Sequence, residues 1–293
     1  MNELLRIENI SYRYDGKVLA LNDVSATFHA GERVAVLGSN GAGKSTFFLC
    51  CNGVLRPNSG KILYNGREIS KSKKDIFTLR QAVGLVFQDP DSQMIAGSVE
   101  SEVSFGPMNL RLPQDEVASR VEESLARTNI SGYRDYAPQY LSGGEKKRVS
   151  IADILAMRPE MILFDEPTAS LDPENADAFE RVLDELNNTG ITIVISTHDV
   201  NFAYRTANRA IVFARGEIIA DADINEVFAS DDILEKAGLK KPLLYEAFEF
   251  FQNSFPNTTN LDKPRTMEEF RTYASCFLRD TRGDLLWNKR TGG

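Results

Sequence analysis

Apolar and polar residues alternate with a period of two over the start of the chain. "LLRIENISYRY" (Leu4 to Tyr14) and "VSATFHA" (Val24 to Ala30) show it, so the region from Leu4 to about Ile69 predicts short strands joined by turns. "KILYNGREI" sets Asn65-Gly66 between two β-prone runs and predicts a hairpin. Within this region "RVAVLG" is continuously apolar, as a strand buried on both faces of a parallel sheet should be. From about Asp89 to Arg158 the period becomes helical, and "PQDEVASRVEESLA" puts Val117, Val121 and Leu125 on one stripe. Two further buried-strand runs follow, "MILFDE" (Met161 to Glu166) and "ITIVISTHD" (Ile191 to Asp199), with the helical "PENADAFERVLDELNN" between them. Strand, helix and strand in alternation imply right-handed crossovers and a parallel sheet. "AIVFARGEIIAD" predicts a hairpin around Arg215-Gly216. From Ile224 onward the pattern is helical. Leu243, Leu244, Ala247, Phe248 and Phe251 recur at helical spacing, and Thr266 with Glu269 predicts a capping box before "EEFRTYASCFL". Phe248, Phe250, Phe251 and Phe255 exceed a single stripe, so this segment is expected to contact more than one neighbour.

Composition narrows the classes. The chain has 293 residues, is 42% apolar and carries a net charge of −8. That apolar share supports a packed core, and the acidic balance argues against non-specific nucleic-acid binding. Cys50, Cys51 and Cys276 form no CxxC pair, and His29 and His198 are the only histidines. A reducing compartment without a zinc site fits this usage, with the cysteines as small buried apolar residues. The charged, alternating N-terminus is not expected to be a signal peptide, and no apolar run approaches the ~20 residues of a membrane span.

The chemistry begins at "GSNGAGKST", which is Gly38, Ser39, Asn40, Gly41, Ala42, Gly43, Lys44, Ser45 and Thr46. It follows a predicted strand and opens a predicted helix. In that context it matches G-x-x-x-x-G-K-[ST], whose glycines let backbone N–H groups turn onto phosphate oxygens at a positive helix end. Lys44 would reach the β- and γ-phosphates of ATP, and the Ser45 hydroxyl would ligate Mg²⁺. Asp165 ends an apolar strand, where its carboxylate would hold Mg²⁺, and Glu166 would orient or deprotonate an attacking water. Gln88 closes another apolar run and would ligate Mg²⁺ or position water. His198, at the same end of the predicted sheet, would contact the γ-phosphate. The competing reading of each is structural: a glycine-rich turn, a helix cap, a polar strand end or a packed histidine.

"LSGGE" (Leu141 to Glu145) carries no base or metal ligand. Ser142 and Glu145 predict a capping box, which sets Ser142, Gly143 and Gly144 at the positive N-terminus of the helix "EKKRVSIADIL". In the order "GSNGAGKS", "FQ", "LSGGE", "MILFDEP", "SLD" and "STHD", the chain resembles ABC ATPases from about Leu4 to Val227. That resemblance implies a P-loop NTPase core of RecA-like α/β type with a parallel sheet, an antiparallel β subdomain and a helical subdomain at about 89–158. It makes residues 1–228 the ATP-binding domain and 229–293 a C-terminal helical extension that braces a dimer or regulates it. It implies that Tyr14 stacks on adenine, although Tyr12 shares its strand face. It makes Gln88 the lid glutamine, Glu166 the catalytic carboxylate and His198 the switch histidine. Asp172, in "SLDP", matches the loop that crosses a dimer interface. "LSGGE" of one unit would close on the γ-phosphate held by the other. Glu145 and Lys147 stand where many relatives have glutamine.

A narrower resemblance lies in "FQDPDSQMIAGSVESEVSFGPMNLRLP" (Phe87 to Pro113), with Gln93 and "SEVSFGPMNL" its telling parts. It is similar to the ATPases of energy-coupling-factor importers, with the cobalt type first and nickel or a vitamin as alternatives. The implied partners are a second ATPase (the same chain or a paralogue), a membrane coupling subunit and a substrate-binding membrane subunit, with no nucleic acid. The implied place is the cytoplasmic face of the membrane. A soluble ABC protein acting on DNA or ribosomes would carry a coiled-coil insertion or two cassettes, which are not seen in this sequence. A phosphate-loop kinase would leave "LSGGE" and "SLD" without use.

Overall fold

A computed structural model describes residues 2–15, 17–169, 171–255 and 261–280, with backbone alone for 276–280. The chain opens with two 12-residue strands, β1 (Glu3–Tyr14) and β2 (Val18–His29). Then come β3 (Arg33–Leu37), α1 (Lys44–Cys51), β4 (Ser59–Tyr64), β5 (Arg67–Glu68), α2 (Lys73–Ala82) and β6 (Val83–Val86). The helical stretch holds α3 (Val99–Asn109), α4 (Gln114–Arg127) and α5 (Gly143–Ala156). It is followed by β7 (Met161–Asp165), α6 (Pro173–Asn188), β8 (Thr192–Thr197), α7 (Val200–Thr206), β9 (Arg209–Ala214) and β10 (Glu217–Asp223). The last helices are α8 (Ile224–Ala229), α9 (Asp231–Ala237), α10 (Leu243–Ser254) and α11 (Met267–Asp280).

The fold is α/β, with two sheets. An antiparallel sheet runs β2-β1-β4-β5, and a six-stranded sheet runs β10-β9-β3-β8-β7-β6. In the second sheet every pair from β9 to β6 is parallel, and β10 is an antiparallel edge. Both predicted hairpins form. Asn65 and Gly66 have φ of 48° and 74°, and Arg215 and Gly216 have 52° and 83°, as two-residue turns matching strand twist require.

The apolar runs are buried on both faces because successive side chains point into different layers. Met161 and Leu163 of β7 face a core shared with β1, β2 and α1. Ile162 and Phe164 face Phe179 and Leu183 of α6 and Phe202 of α7. The stripe Val117, Val121 and Leu125 joins Val99, Val103 and Val149 in a core of its own beneath α3, α4 and α5. Tyr245 of α10 packs in one cluster with Leu37 of β3, Tyr204 of α7 and Phe228 of α8. Phe248 and Phe251 meet Phe270 of α11, whose predicted Thr266–Glu269 box forms.

Three features depart from the sequence expectation. The first strands are long, not short. α2 replaces what had no predicted element, because its basic first residues hide a stripe of Asp75, Leu79 and Ala82. α7 follows β8 where none was expected, started by Asp199, whose carboxylate accepts from Asn201 N and Phe202 N. Cys50 and Cys51 are buried and free, as expected, and the Cys276 side chain lies outside the described residues.

Candidate functional site

Sheet order brings the sequence-distant motifs together. β3, β8, β7 and β6 are neighbours, with Leu37 beside Thr197 and Asp165 beside Ser196. The turns after their carboxyl ends therefore carry the phosphate loop, His198, Glu166 and Gln88 along one edge, the place where open α/β sheets bind ligands.

The phosphate loop wraps from β3 into α1. Gly38 has φ of 147°, and a Cβ there would lie 2.5 Å from the Phe213 carbonyl oxygen. Gly43, the N-cap of α1, has φ of 110° and would bring a Cβ within 2.8 Å of the Ala20 carbonyl oxygen. Both positions exclude a side chain on conformation and on space. Ser39, Asn40, Gly41 and Ser45 are exposed, while Ala42, Lys44 and Thr46 are buried. Lys44 Nζ donates to the carbonyls of Gly38 at 2.7 Å and Ser39 at 3.3 Å, and lies 3.4 Å from Glu166 Oε1.

Glu166 adopts φ of 43°, a left-handed conformation that costs a non-glycine residue about 1–3 kcal/mol. Its N–H donates to the Ser196 carbonyl at 3.0 Å and to Ser196 Oγ at 3.2 Å. The Ser196 hydroxyl in turn donates to Asp165 Oδ1. His198 Nδ1 is 2.9 Å from Glu166 Oε2, and the imidazole is otherwise open to solvent. Glu166 Oε1 is buried, makes no hydrogen bond and faces the Lys44 ammonium. A buried acceptor left over in this way suits a site that also receives a polar ligand.

Gln88 lies two residues beyond β6 and is exposed. Tyr14 is 40% exposed and its hydroxyl is 3.2 Å from Thr46 Oγ1. Tyr12 meets it edge-on at 4.9 Å but packs on the core, so Tyr14 is the outer ring of the pair. Ser45, Gln88 and Asp165 supply hydroxyl, amide and carboxylate oxygens, a donor set that fits Mg²⁺. Among the described residues no group of three or more His, Cys, Asp or Glu could hold a metal. Mg²⁺ here would thus lean on water and phosphate oxygens, as it does in phosphoryl-transfer sites.

The "LSGGE" turn forms the predicted capping box. Ser142 Oγ accepts from Glu145 N at 3.4 Å, and Glu145 Oε2 accepts from Ser142 N at 2.7 Å. Ser142 and Gly143 are exposed, and a Cβ on Gly143 would meet nothing within 4 Å. A Cβ on Gly144 would instead lie 2.7 Å from Asn175 Oδ1. Asp172 caps α6 through Asn175 N at 2.8 Å, and these hydrogen bonds hold its carboxyl below the usual range. Asn175 also accepts from Arg148 Nη1 at 3.1 Å, so the Asp172 loop and the "LSGGE" helix are tied within the chain.

A model of the ABC transporter family matches residues 21–169. The energy-coupling factor transporter ATP-binding protein EcfA of Methanothermobacter thermautotrophicus is 47% identical over 239 residues, 82% of this chain and 77% of that one. The chain belongs to the ABC ATPases, among the ATP-binding proteins of energy-coupling factor transporters. The structure of cbiO1 from Clostridium perfringens, part of the ABC transporter complex cbiONQ, superposes with a TM-score of 0.72 at 39% identity, covering 86% of this chain and 100% of that one. A dimeric ATP-binding cassette in a post-hydrolysis state with ADP and Pi gives 0.68 at 27% identity, covering 75% and 99%. No helix among the described residues of this ABC ATPase is long and apolar enough to cross a membrane.

Several residues at this ATPase's site escaped the sequence reading. Ser196, which holds both Asp165 and the Glu166 backbone, had one visible signal, a hydroxyl inside an apolar strand. Asn175 had none. Lys147, noted in the sequence only as standing where many relatives have glutamine, is 4% exposed. Burial pushes its ammonium down to about 8, against the pull of Asp165 and Asp89. Gln93, marked by resemblance alone, donates to Asp153 Oδ2 at 3.2 Å and Ser150 O at 3.3 Å on α5.

Proposed function

We propose that this ABC ATPase drives an energy-coupling-factor importer for cobalt ions, hydrolysing ATP at sites shared between two paired subunits. The observation that carries the chemistry is the trio of Lys44, Glu166 and His198, with both Glu166 oxygens facing a basic group at 2.9 and 3.4 Å. ATP is the substrate. The loop from Gly38 to Thr46 binds its phosphates, Lys44 neutralises charge on the β- and γ-phosphates, and the Tyr14 ring stacks on adenine. Glu166 polarises the attacking water, and His198 holds Glu166 and meets the γ-phosphate. Mg²⁺, held by Ser45, Asp165 and Gln88, would offset charge on the phosphate oxygens. Ser142, Gly143 and Gly144 of the second subunit supply one hydroxyl and bare N–H groups to the γ-phosphate, and Asp172 crosses the interface beside them. Positioning and charge neutralisation provide most of such a rate.

The segment from Gln88 to Pro113 passes the motion to an integral membrane partner. Ile95, Phe105 and Met108 are 73%, 50% and 63% exposed there, which supports a docking face. The protein then sits peripherally on the cytoplasmic side. The cobalt reading rests on the resemblance in Phe87 to Pro113, with the likeness to cbiO1 beside it. Lys44-dependent uptake of labelled cobalt by the intact transporter checks it, and uptake of nickel or a vitamin instead would transfer the cargo. For the chemistry, Glu166→Gln is expected to bind ATP with near-normal affinity while turnover falls about 100-fold or more, the contribution of a positioned base. Normal turnover in that variant would remove Glu166 from its role.

A further inference from the structure

The lid glutamine, Gln88, is exposed in the turn that follows β6. Asp89 caps the turn locally through Asp91 N at 3.0 Å, and further ties come from α5. Lys147 Nζ donates to the carbonyl of Phe87 at 2.8 Å and to that of Gln88 at 3.2 Å. Lys146 pairs with Asp91 at 2.6 Å, and Gln93 folds back to receive Phe87 N at 3.4 Å while donating to α5. Of these ties, the one at Gln88 itself is a desolvated cation on two backbone oxygens. Removing the ammonium takes the donor from both carbonyl oxygens, so an apolar side chain of the same length does not replace this tie. Asp165 and Asp89 are the carboxylates near enough to favour its charged form. Lys147 is five residues beyond Ser142 on the helix that Ser142 caps. Its ammonium therefore joins the anion-binding end of α5 to the backbone of the lid turn.

We propose that Lys147 is a positioning residue for Gln88, locking the lid turn to α5 so that a phosphate contact at Ser142 sets where Gln88 stands in the same chain. This rests on the reading of Gln88 as the lid glutamine. Lys147 is assigned no contact of its own with nucleotide or metal. Its effect on turnover passes through the carbonyl of Gln88.

The test is a double-mutant cycle on the full chain, with MgATP turnover measured for wild type, Lys147→Met, Gln88→Ala and the pair. Lys147→Met keeps the aliphatic stem and removes the donors. The expected result is a fall in kcat of about tenfold, the size of a coupling between contacting residues, with KM for ATP within about twofold. In the Gln88→Ala background the same change is expected to have no further effect. A general loss of structure would lower turnover in both backgrounds and shift the thermal midpoint, so losses that multiply overturn the proposal. Wild-type turnover in Lys147→Met, with Gln88→Ala impaired, overturns it while sparing the lid reading. Wild-type turnover in Gln88→Ala removes the lid reading and the proposal together. Lys147→Gln, which retains a donor on a shorter stem, replaces Lys147→Met in the cycle if the methionine variant does not fold.

Discussion

Glu166 and Asp153 show how single positions trade stability for placement. Glu166 is held in a left-handed backbone by two hydrogen bonds to Ser196, and that strain aims its carboxylate between Lys44 and His198. Asp153 lies on α5, where Gln93 donates to its carboxylate. Burial, with the nearby Glu102 charge, pushes its carboxyl up to about 7, although the hydrogen bond from Gln93 opposes this. Its folded value thus lies above the unfolded one, near 4. The stability it contributes is complete below about pH 4 and is lost as pH rises to about 7. Asp153→Asn removes that titration. The stability advantage of the variant is therefore expected to widen from pH 4 to pH 7 and level off above, reaching on the order of 1–2 kcal/mol after solvent screening. Denaturant melts across that range check it, and a pH-independent difference would mean the group does not titrate as described.

Helix α5 and the C-terminal helices act as elements, not as residues. The N-terminus of α5 is exposed at Ser142 and Gly143, its middle holds the Phe87 and Gln88 carbonyls and its apolar face completes the core with α3 and α4. Helix α10 is tied as closely, since Tyr245 is 0% exposed against Tyr204 and Phe228. Tyr245→Ala should then cost about 3–5 kcal/mol, as for other fully buried aromatic truncations. Chemical unfolding measures it, and a cost below about 1 kcal/mol would show that α10 rests on the core without completing it. The elements that were legible in advance have clean periods: the buried runs of β3, β7 and β8, the α4 stripe and both hairpins. α2 was not legible because only Asp75, Leu79 and Ala82 mark its buried face among charged neighbours. The candidate site residues were legible as types, because a phosphate-binding motif sets glycines and a lysine in a fixed order. Lys147, Asn175 and Ser196 act through tertiary contacts, which no local spacing encodes.

At the scale of the whole molecule, strand order explains why motifs far apart in the chain share one edge, while "LSGGE" stands at the end of a helix with its own core. One chain therefore presents a candidate phosphate-binding face and, separately, the exposed N-terminus of α5 proposed to meet an anion. The proposal that two copies complete each other is tested most directly by light scattering of Glu166→Gln with and without MgATP, alone and combined with Ser142→Arg. The expected result is a dimer that Glu166→Gln forms only with ATP and that the added Ser142→Arg abolishes, while each variant still binds the nucleotide. An ATP-dependent dimer that persists in the double variant would contradict the shared site.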